Sequence, residues 1–326
     1  MKELKKTIFV TGASGFLGMH FISDTINCNF KIFALTRNKK NIELSTDFSH
    51  IEVLEGDINE IEKFKPQLVQ CDYFIHIAGE KRDETKMEDV NVNSMKKILS
   101  ALCIIPAIKI IYISSSGVYG IENYPSNNLS EDDKCYPGTV YEKSKLAAEN
   151  YLINFSKEKL LNYIILRPSN VFGENDKSFK LLGLMRSLKS GLFFYLKRDV
   201  IVNYVYVKYV TAVIIYFIGN DRINNEIYNV NSKLKLEEFI EVLKSELNVI
   251  KSSVRIPYWL FYPFTFFFDL LPLQYQLFNS EKYFALTNRK SYSIEKLKLE
   301  YSADENELII QGLKNLVSSY KEKRMI

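Results

Sequence analysis

Short apolar runs alternate with helical patterns along the first half of the chain. The runs at 7–10, 31–36, 51–54, 73–77, 109–114 and 163–167 predict strands. Several are almost unbroken, as expected when both faces of a sheet are covered. Between them, the spacing of apolar positions predicts helices over 16–27, 59–70, 87–103 and 139–156. Strand–helix repetition of this kind predicts an α/β fold, a Rossmann-type doubly wound parallel sheet with right-handed crossovers.

The second half is less regular. The pattern predicts a helix near 176–190, a tyrosine-rich strand over 200–207, a helix near 208–218 and a strand at 226–230. Helical periodicity returns at 234–248 and 305–323. The expected division is a dinucleotide-binding domain at 1–170, with 200–230 returning to it. A smaller C-terminal α+β lobe, from 171–199 and 231–326, would lie over the strand ends, where open α/β sheets bind ligands.

Composition narrows the function classes. The chain has 326 residues, 47% of them hydrophobic and 25% charged, which suits a globular protein. A net charge of +4 spread along the chain gives no basis for a nucleic-acid partner. Cys28, Cys71, Cys103 and Cys135 form no C-x-x-C pair, and His20, His50 and His76 are scattered. Free thiols and no metal site are expected. The opening residues run at once into the first strand, leaving no room for a signal peptide, so a cytoplasmic location is expected. Residues 257–278 are strongly apolar and aromatic but are interrupted by Pro263, Asp269 and Pro272. They are too broken for a spanning helix. A pair of short lobe helices is the first expectation, and peripheral contact with a membrane interface is the second.

Candidate chemistry begins with Thr11-Gly12-Ala13-Ser14-Gly15-Phe16-Leu17-Gly18, placed between the first strand and the first helix. Gly12 would permit a tight turn, Gly15 would let backbone approach a pyrophosphate, and Gly18 would let helix pack on strand. The phosphates would sit at the helix N-terminus. After the second strand, Leu35-Thr36-Arg37-Asn38 offers no carboxylate for a ribose, and Arg37 could pair with a 2′-phosphate. NADP is therefore favoured slightly over NAD. Asp57 and Ile58 close the third strand near an adenine site, and Ala78 leaves room for ribose and phosphate at the end of the fourth. His76, inside an apolar run, reads as a buried, hydrogen-bonded core residue.

Tyr141 and Lys145 are four apart in a predicted helix and share a face. An ammonium near a phenol favours phenolate, which can take a proton from a substrate alcohol. Ile113-Ser114-Ser115-Ser116-Gly117-Val118-Tyr119-Gly120 supplies hydroxyls at a strand end, suited to binding the same substrate oxygen.

With these motifs in this order, the chain resembles the extended short-chain dehydrogenases/reductases, and most of all the NAD(P)-dependent epimerase/dehydratase family, which acts largely on nucleotide sugars. The resemblance covers nearly the whole chain. It implies Ser115, Tyr141 and Lys145 as the catalytic set, with Asn91 of Asn91-Val92-Asn93 holding a water linked to the lysine. In Leu166-Arg167-Pro168-Ser169-Asn170-Val171-Phe172-Gly173, it implies Pro168 near the nicotinamide and Asn170, with Ser116, near substrate. It also implies a homodimer through the 87–103 and 139–156 helices. Ser291-Tyr292-Ser293-Ile294-Glu295-Lys296-Leu297 resembles the segment before the family's final helix.

Two departures stand out. Lys208 and Tyr209 replace the family's usual acidic residues, so helix capping or substrate-lobe geometry there should differ. Ser116-Gly117 replaces the Asp-Glu pair of sugar 4,6-dehydratases, which removes the side chains needed for that elimination. The expected activity is a nucleotide-sugar epimerase or reductase. The alternatives are a dehydrogenase of a lipophilic alcohol, resembling 3β-hydroxysteroid dehydrogenases, and an NAD(P)-sensing binding protein without turnover. Lys197, Arg198 and Arg255 are candidates to hold a nucleotide diphosphate.

Overall fold

The computed structural model describes residues 6–42, 50–105, 107–120, 127–251, 253–260 and 280–326. The first strands are β1 (Lys6–Thr11), β2 (Phe30–Thr36), β3 (Ile51–Glu55), β4 (Tyr73–His76) and β5 (Lys109–Ile113). After them come β6 (Asn128–Leu129), β7 (Asn162–Pro168), β8 (Asn170–Phe172), β9 (Phe194–Tyr195), β10 (Ile201–Tyr206), β11 (Glu226–Val230), β12 (Ser232–Lys235), β13 (Val254–Arg255) and β14 (Ser291–Tyr292). Seven of these form one sheet in the order β11-β7-β5-β4-β1-β2-β3. Every pairing in it is parallel. The sheet is the expected Rossmann-type fold. Chain order reverses beside β1, with β2 on one side and β4 on the other. That reversal opens a crevice at the carboxyl ends of β1 and β4.

Both faces of this sheet are covered, which explains the unbroken apolar runs. Val10, Ile32 and Ile75 pack with Phe21 of α1 (Phe16–Asp24) and with Val213, Ile214 and Phe217 of a later helix, Val207–Gly219. Their neighbours Phe9, Phe33 and Phe74 point the other way, as strand alternation requires. They pack with Ile98 and Leu99 of helix Ser94–Leu102 and with Ala148 and Leu152 of helix Val140–Lys159. A third core unites Phe172, Val202 and Tyr206 with helices Lys180–Ser190, Leu236–Leu247 and Glu305–Glu322 in the C-terminal lobe.

Several expected elements differ in detail. The helix expected at 59–70 is a 3₁₀ turn, Ile58–Phe64, followed by one α-turn, Lys65–Leu68. Pro66 lacks an N–H and suits only the first turn of a new helix. The helix expected at 87–103 is Glu84–Met87, then a π-helical stretch Glu88–Asn93, then Ser94–Leu102. The helix expected from 176 starts at Lys180, after Phe179 turns left-handed at φ 53°. The helix expected from 234 starts at Leu236, because Ser232–Lys235 pairs antiparallel with β10. Within 200–230, β11 joins the large sheet beside β7, whereas β10 lies between β8 and β12 in a separate three-stranded sheet.

At the departure from the family pattern, helix Val207–Gly219 has no side-chain cap at its N-terminus. Lys208 and Thr211 instead bind the carboxylate of Asp24, tying this helix to the end of α1. Among the described residues, no helix is long and apolar enough to cross a membrane. Most of the aromatic stretch at 257–278, with Pro263, Asp269 and Pro272, lies outside the described residues.

Candidate active site

The glycine turn is built by close approach. Gly12 has φ +73°, and a Cβ there would lie 2.6 Å from the Ala78 backbone nitrogen. The turn after β1 is thereby pressed against the end of β4. A Cβ on Gly18 would lie 2.2 Å from the Gly12 carbonyl oxygen, so α1 sits directly on the turn. Gly15 is exposed, and a Cβ there would meet only the Gly12 carbonyl. Gly15 caps α1 without a side-chain hydrogen bond, and the first turn, which holds Phe16 and Leu17, has no acidic residue. Free N–H groups and the helix dipole make this end a place for phosphate.

Around the same crevice lie the other expected cofactor contacts. Arg37 is exposed at the end of β2, where Thr36 donates to the Ser14 hydroxyl at 3.0 Å. Glu55, at the end of β3, accepts from the Lys39 backbone N–H at 3.1 Å. Asp57 accepts from the Asn59 backbone N–H at 2.8 Å, and Ile58 packs against the core below. Pro168 is buried at the end of β7. The buried hydroxyls of Ser114 and Ser169, at the ends of β5 and β7, have no partner among the described residues. A glycine cradle, an open helix end and unpartnered hydroxyls along one crevice fit a dinucleotide. Among the described residues, no group of three or more His, Cys, Asp or Glu could hold a metal ion.

The helix bearing the tyrosine and lysine starts where a capping box places it. Thr139 accepts from the Glu142 backbone N–H at 3.2 Å, and Glu142 accepts from Thr139 N–H at 3.0 Å. Tyr141 therefore lies in the first turn and Lys145 one turn on. The Ser115 hydroxyl lies close enough to Tyr141 to favour its phenolate. Ser115 also accepts from the Gly117 backbone N–H at 3.1 Å, which fixes its side chain. Lys145 is buried, donates to the Ile113 carbonyl at 2.7 Å and lies 4.4 Å from the Tyr112 ring centre. A Cβ on Gly79 would lie 3.3 Å from Asn91 Oδ1 and 3.7 Å from Lys145 Nζ, so the end of β4 also reaches this place.

Charge balance here differs from the expected lowering of Tyr141 by Lys145. Burial pushes the Tyr141 phenol up to about 12, and the nearby Ser115 hydroxyl opposes it. Burial pulls the Lys145 ammonium down to about 7, and the Glu149 carboxylate opposes that. Both groups sit in low dielectric, which disfavours either charged form.

Asn91 lies on the π-helical stretch. It accepts from Glu80 N–H at 2.8 Å and donates to Glu80 O and to Ser144 Oγ, each at 2.9 Å. One lone pair of Oδ1 is left for a further donor. Ser116 is buried in the 3₁₀ turn after β5. Asn170 is exposed and donates to the Asn203 carbonyl at 3.1 Å. At Gly117 a Cβ would lie 3.0 Å from Glu142 Cγ, so an acid of the dehydratase type there would have to displace the Glu142 side chain by a few tenths of an ångström. His76 is the expected core residue, bonded through Nδ1 to the Thr11 hydroxyl at 2.8 Å. Of the diphosphate candidates, Arg255 is bound to Glu237 at 3.0 Å, and Lys197 lies 4.4 Å from the Tyr258 ring centre.

Sequence reasoning missed a buried polar chain behind Lys145. Glu149 is one turn further along the same helix and binds Arg167. Arg167 donates to the Tyr119 hydroxyl at 2.8 Å, and Tyr119 donates to Asn229 at 2.9 Å. The available signal was an arginine inside the apolar run of β7, which demands a buried counter-charge.

The sequence profile of the NAD dependent epimerase/dehydratase family matches residues 8–231. A Methanocaldococcus jannaschii protein provisionally named UDP-glucose 4-epimerase is 31% identical, over 52% of this chain and 57% of that protein. The N-acetyl-alpha-D-glucosaminyl-diphospho-ditrans,octacis-undecaprenol 4-epimerase of Escherichia coli O157:H7 is 26% identical, over 82% of this chain and 80% of that one. The structure of UDP-N-acetylglucosamine 4-epimerase from Methanobrevibacter ruminantium M1, in complex with UDP-N-acetylmuramic acid, superposes with a TM-score of 0.75. That likeness covers 98% of this chain and 99% of the other at 20% identity, and it is one of fold. The crevice, the glycine turn and the family profile agree, and this chain belongs to the NAD dependent epimerase/dehydratase family.

Proposed function

We propose that the protein is a sugar epimerase or reductase that oxidises or reduces a single hydroxyl carbon of a sugar carried on a diphosphate. The observation that carries this reading is Ser115 beside Tyr141, with Lys145 buried one turn further along the same helix. Tyr141 takes the proton of the sugar hydroxyl, and Ser115 holds the same oxygen as its charge changes. Lys145 stabilises the phenolate, and the free lone pair of Asn91 holds a water beside it. Ser116 and Asn170 face the sugar. A bound nicotinamide dinucleotide supplies the hydride acceptor and donor. The backbone of Gly12, Gly15, Phe16, Leu17 and Gly18 would hold its pyrophosphate, Asp57 and Ile58 its adenine, Ala78 its ribose and Pro168 its nicotinamide.

Arg37 favours NADP, because Leu35-Thr36-Arg37-Asn38 offers no carboxylate and the nearby Glu55 is engaged with the Lys39 backbone. The sugar-diphosphate substrate is supported by the names of the relatives and not by a contact in this chain. A homodimer through helices Ser94–Leu102 and Val140–Lys159 would bury exposed Lys96, Lys97, Asn150 and Asn154, so its interface would be polar and salt-sensitive. Light scattering at low and high salt tests it.

The main test is to denature the purified protein and identify the released nucleotide. Bound NAD or NADP near one per chain, with interconversion of two sugar epimers, is expected of an epimerase. An empty protein that binds NADPH and reduces keto sugars is expected of a reductase. Turnover of lipophilic alcohols alone would replace the sugar reading with the steroid-dehydrogenase type. Failure to bind either nucleotide would overturn both.

A further inference from the structure

One edge of the C-terminal lobe exposes apolar side chains beside several cations that form no ion pair among the described residues. β9 and β13 pair there as a two-residue ribbon, Val254 beside Phe194 and Arg255 beside Tyr195. Leu192, Ile250, Val254, Tyr258, Trp259 and Leu260 all project from this edge. Ile250 is 98% and Trp259 63% exposed, where side chains of this kind are ordinarily covered. Lys251 reaches the Ser190 carbonyl at 3.4 Å, which brings it next to Leu192. Lys197 lies over the Tyr258 ring, and Arg289 bonds the Arg198 carbonyl at 3.0 Å. Among the described residues, Lys189, Lys197, Arg198 and Lys251 form no ion pair. Of the nearby carboxylates, Glu237 pairs with Arg255, and Asp199 pairs with Lys235 and attracts Arg198 and Arg289 more weakly.

We propose that this edge docks on an anionic lipid surface. Trp259, Tyr258 and the aliphatic side chains would enter the interface, and the four unpaired cations would meet headgroup phosphates. Tryptophan and tyrosine concentrate at the boundary between headgroups and acyl chains. Each lysine or arginine near an anionic surface adds attraction that salt screens. A protein partner would have to leave four cations buried or find four acids for them, whereas a bilayer of anionic headgroups meets every one. The sequence also continues from Leu260 directly into the aromatic stretch that ends at Phe278. Docking of this kind goes beyond the proposed reaction and does not depend on it. It would present the same site to a sugar diphosphate whose carrier is a lipid.

Trp259 is the one tryptophan of the chain, so its fluorescence reports on this edge alone. The experiment titrates the full chain with vesicles of phosphatidylcholine, with and without phosphatidylglycerol. The expected result is a blue shift and co-sedimentation with the anionic vesicles only, quenching by brominated acyl chains, and release by salt. The double variant K197E/K251E should bind about tenfold more weakly, with an unchanged melting temperature. Unshifted emission with protein left in the supernatant overturns the proposal. So does emission already blue without lipid, which would mean that residues 261–279 or a second copy cover Trp259. Equal binding to neutral vesicles overturns the assignment to anionic headgroups. Vesicle binding is read without turnover, so its failure and the failure of the sugar reading are separate outcomes.

Discussion

Arg167 donates from Nε to both carboxylate oxygens of Glu149, at 3.1 and 3.3 Å, and again from Nη2 at 2.6 Å. Arg167 stands on β7 and Glu149 on the helix that carries Tyr141 and Lys145. The pair therefore fixes that helix against the sheet from below. Removing one partner leaves a buried charge without a counter-charge, which costs more than the pair contributes. Glu149→Gln should lower unfolding stability by about 3–5 kcal/mol in urea titrations. The double variant Glu149→Leu/Arg167→Met should recover most of that loss. Equal loss in both would show that packing, and not charge, sets the cost.

Tyr141→Phe keeps the ring and removes the only atom with a chemical role. Turnover should fall by about 10²–10⁴-fold, the scale of a general acid–base group. Nucleotide binding, followed by equilibrium dialysis, should be unchanged. Retained turnover would return the chain to the binding-protein reading.

Two glycines make opposite predictions from the same substitution. In Gly18→Ala the methyl would lie 2.2 Å from the Gly12 carbonyl oxygen, so α1 must move off the turn. Nucleotide binding should be lost, with destabilisation of about 1–3 kcal/mol. Gly183 lies within helix Lys180–Ser190, where an added methyl would meet nothing within 4 Å. Gly183→Ala should stabilise by about 0.5–1 kcal/mol. Chemical denaturation of both variants checks the contrast.

His76 gives the fold an acid-sensitive point. Burial first, and the Lys145 charge second, pull its imidazole from 6.5 down to about 3. The unfolded chain then takes up this proton before the folded one does. The contribution to stability is fully present above pH 6.5 and is lost as pH falls towards 3. His76→Gln should flatten that limb of the stability curve, measured by urea unfolding at successive pH values. An unchanged limb would assign the acid sensitivity to other groups.

The sequence by itself determined the parts that are local. Alternating apolar runs dictated a sheet covered on both faces. The glycine spacing dictated the turn between β1 and α1, and a four-residue interval put Tyr141 and Lys145 on one helical face. Each follows from the geometry of a few adjacent residues. Tertiary structure decided which distant groups meet. It set Ser115 against Tyr141, and Arg167 against Glu149. It placed β10 between β8 and β12, and paired the two-residue strands β6 and β14, which are too short to show a period. It also raised the Tyr141 phenol through burial, where a lowering was expected. The protonation of a buried group depends on the low dielectric created by all the elements packed around it, and no local stretch of sequence encodes that sum.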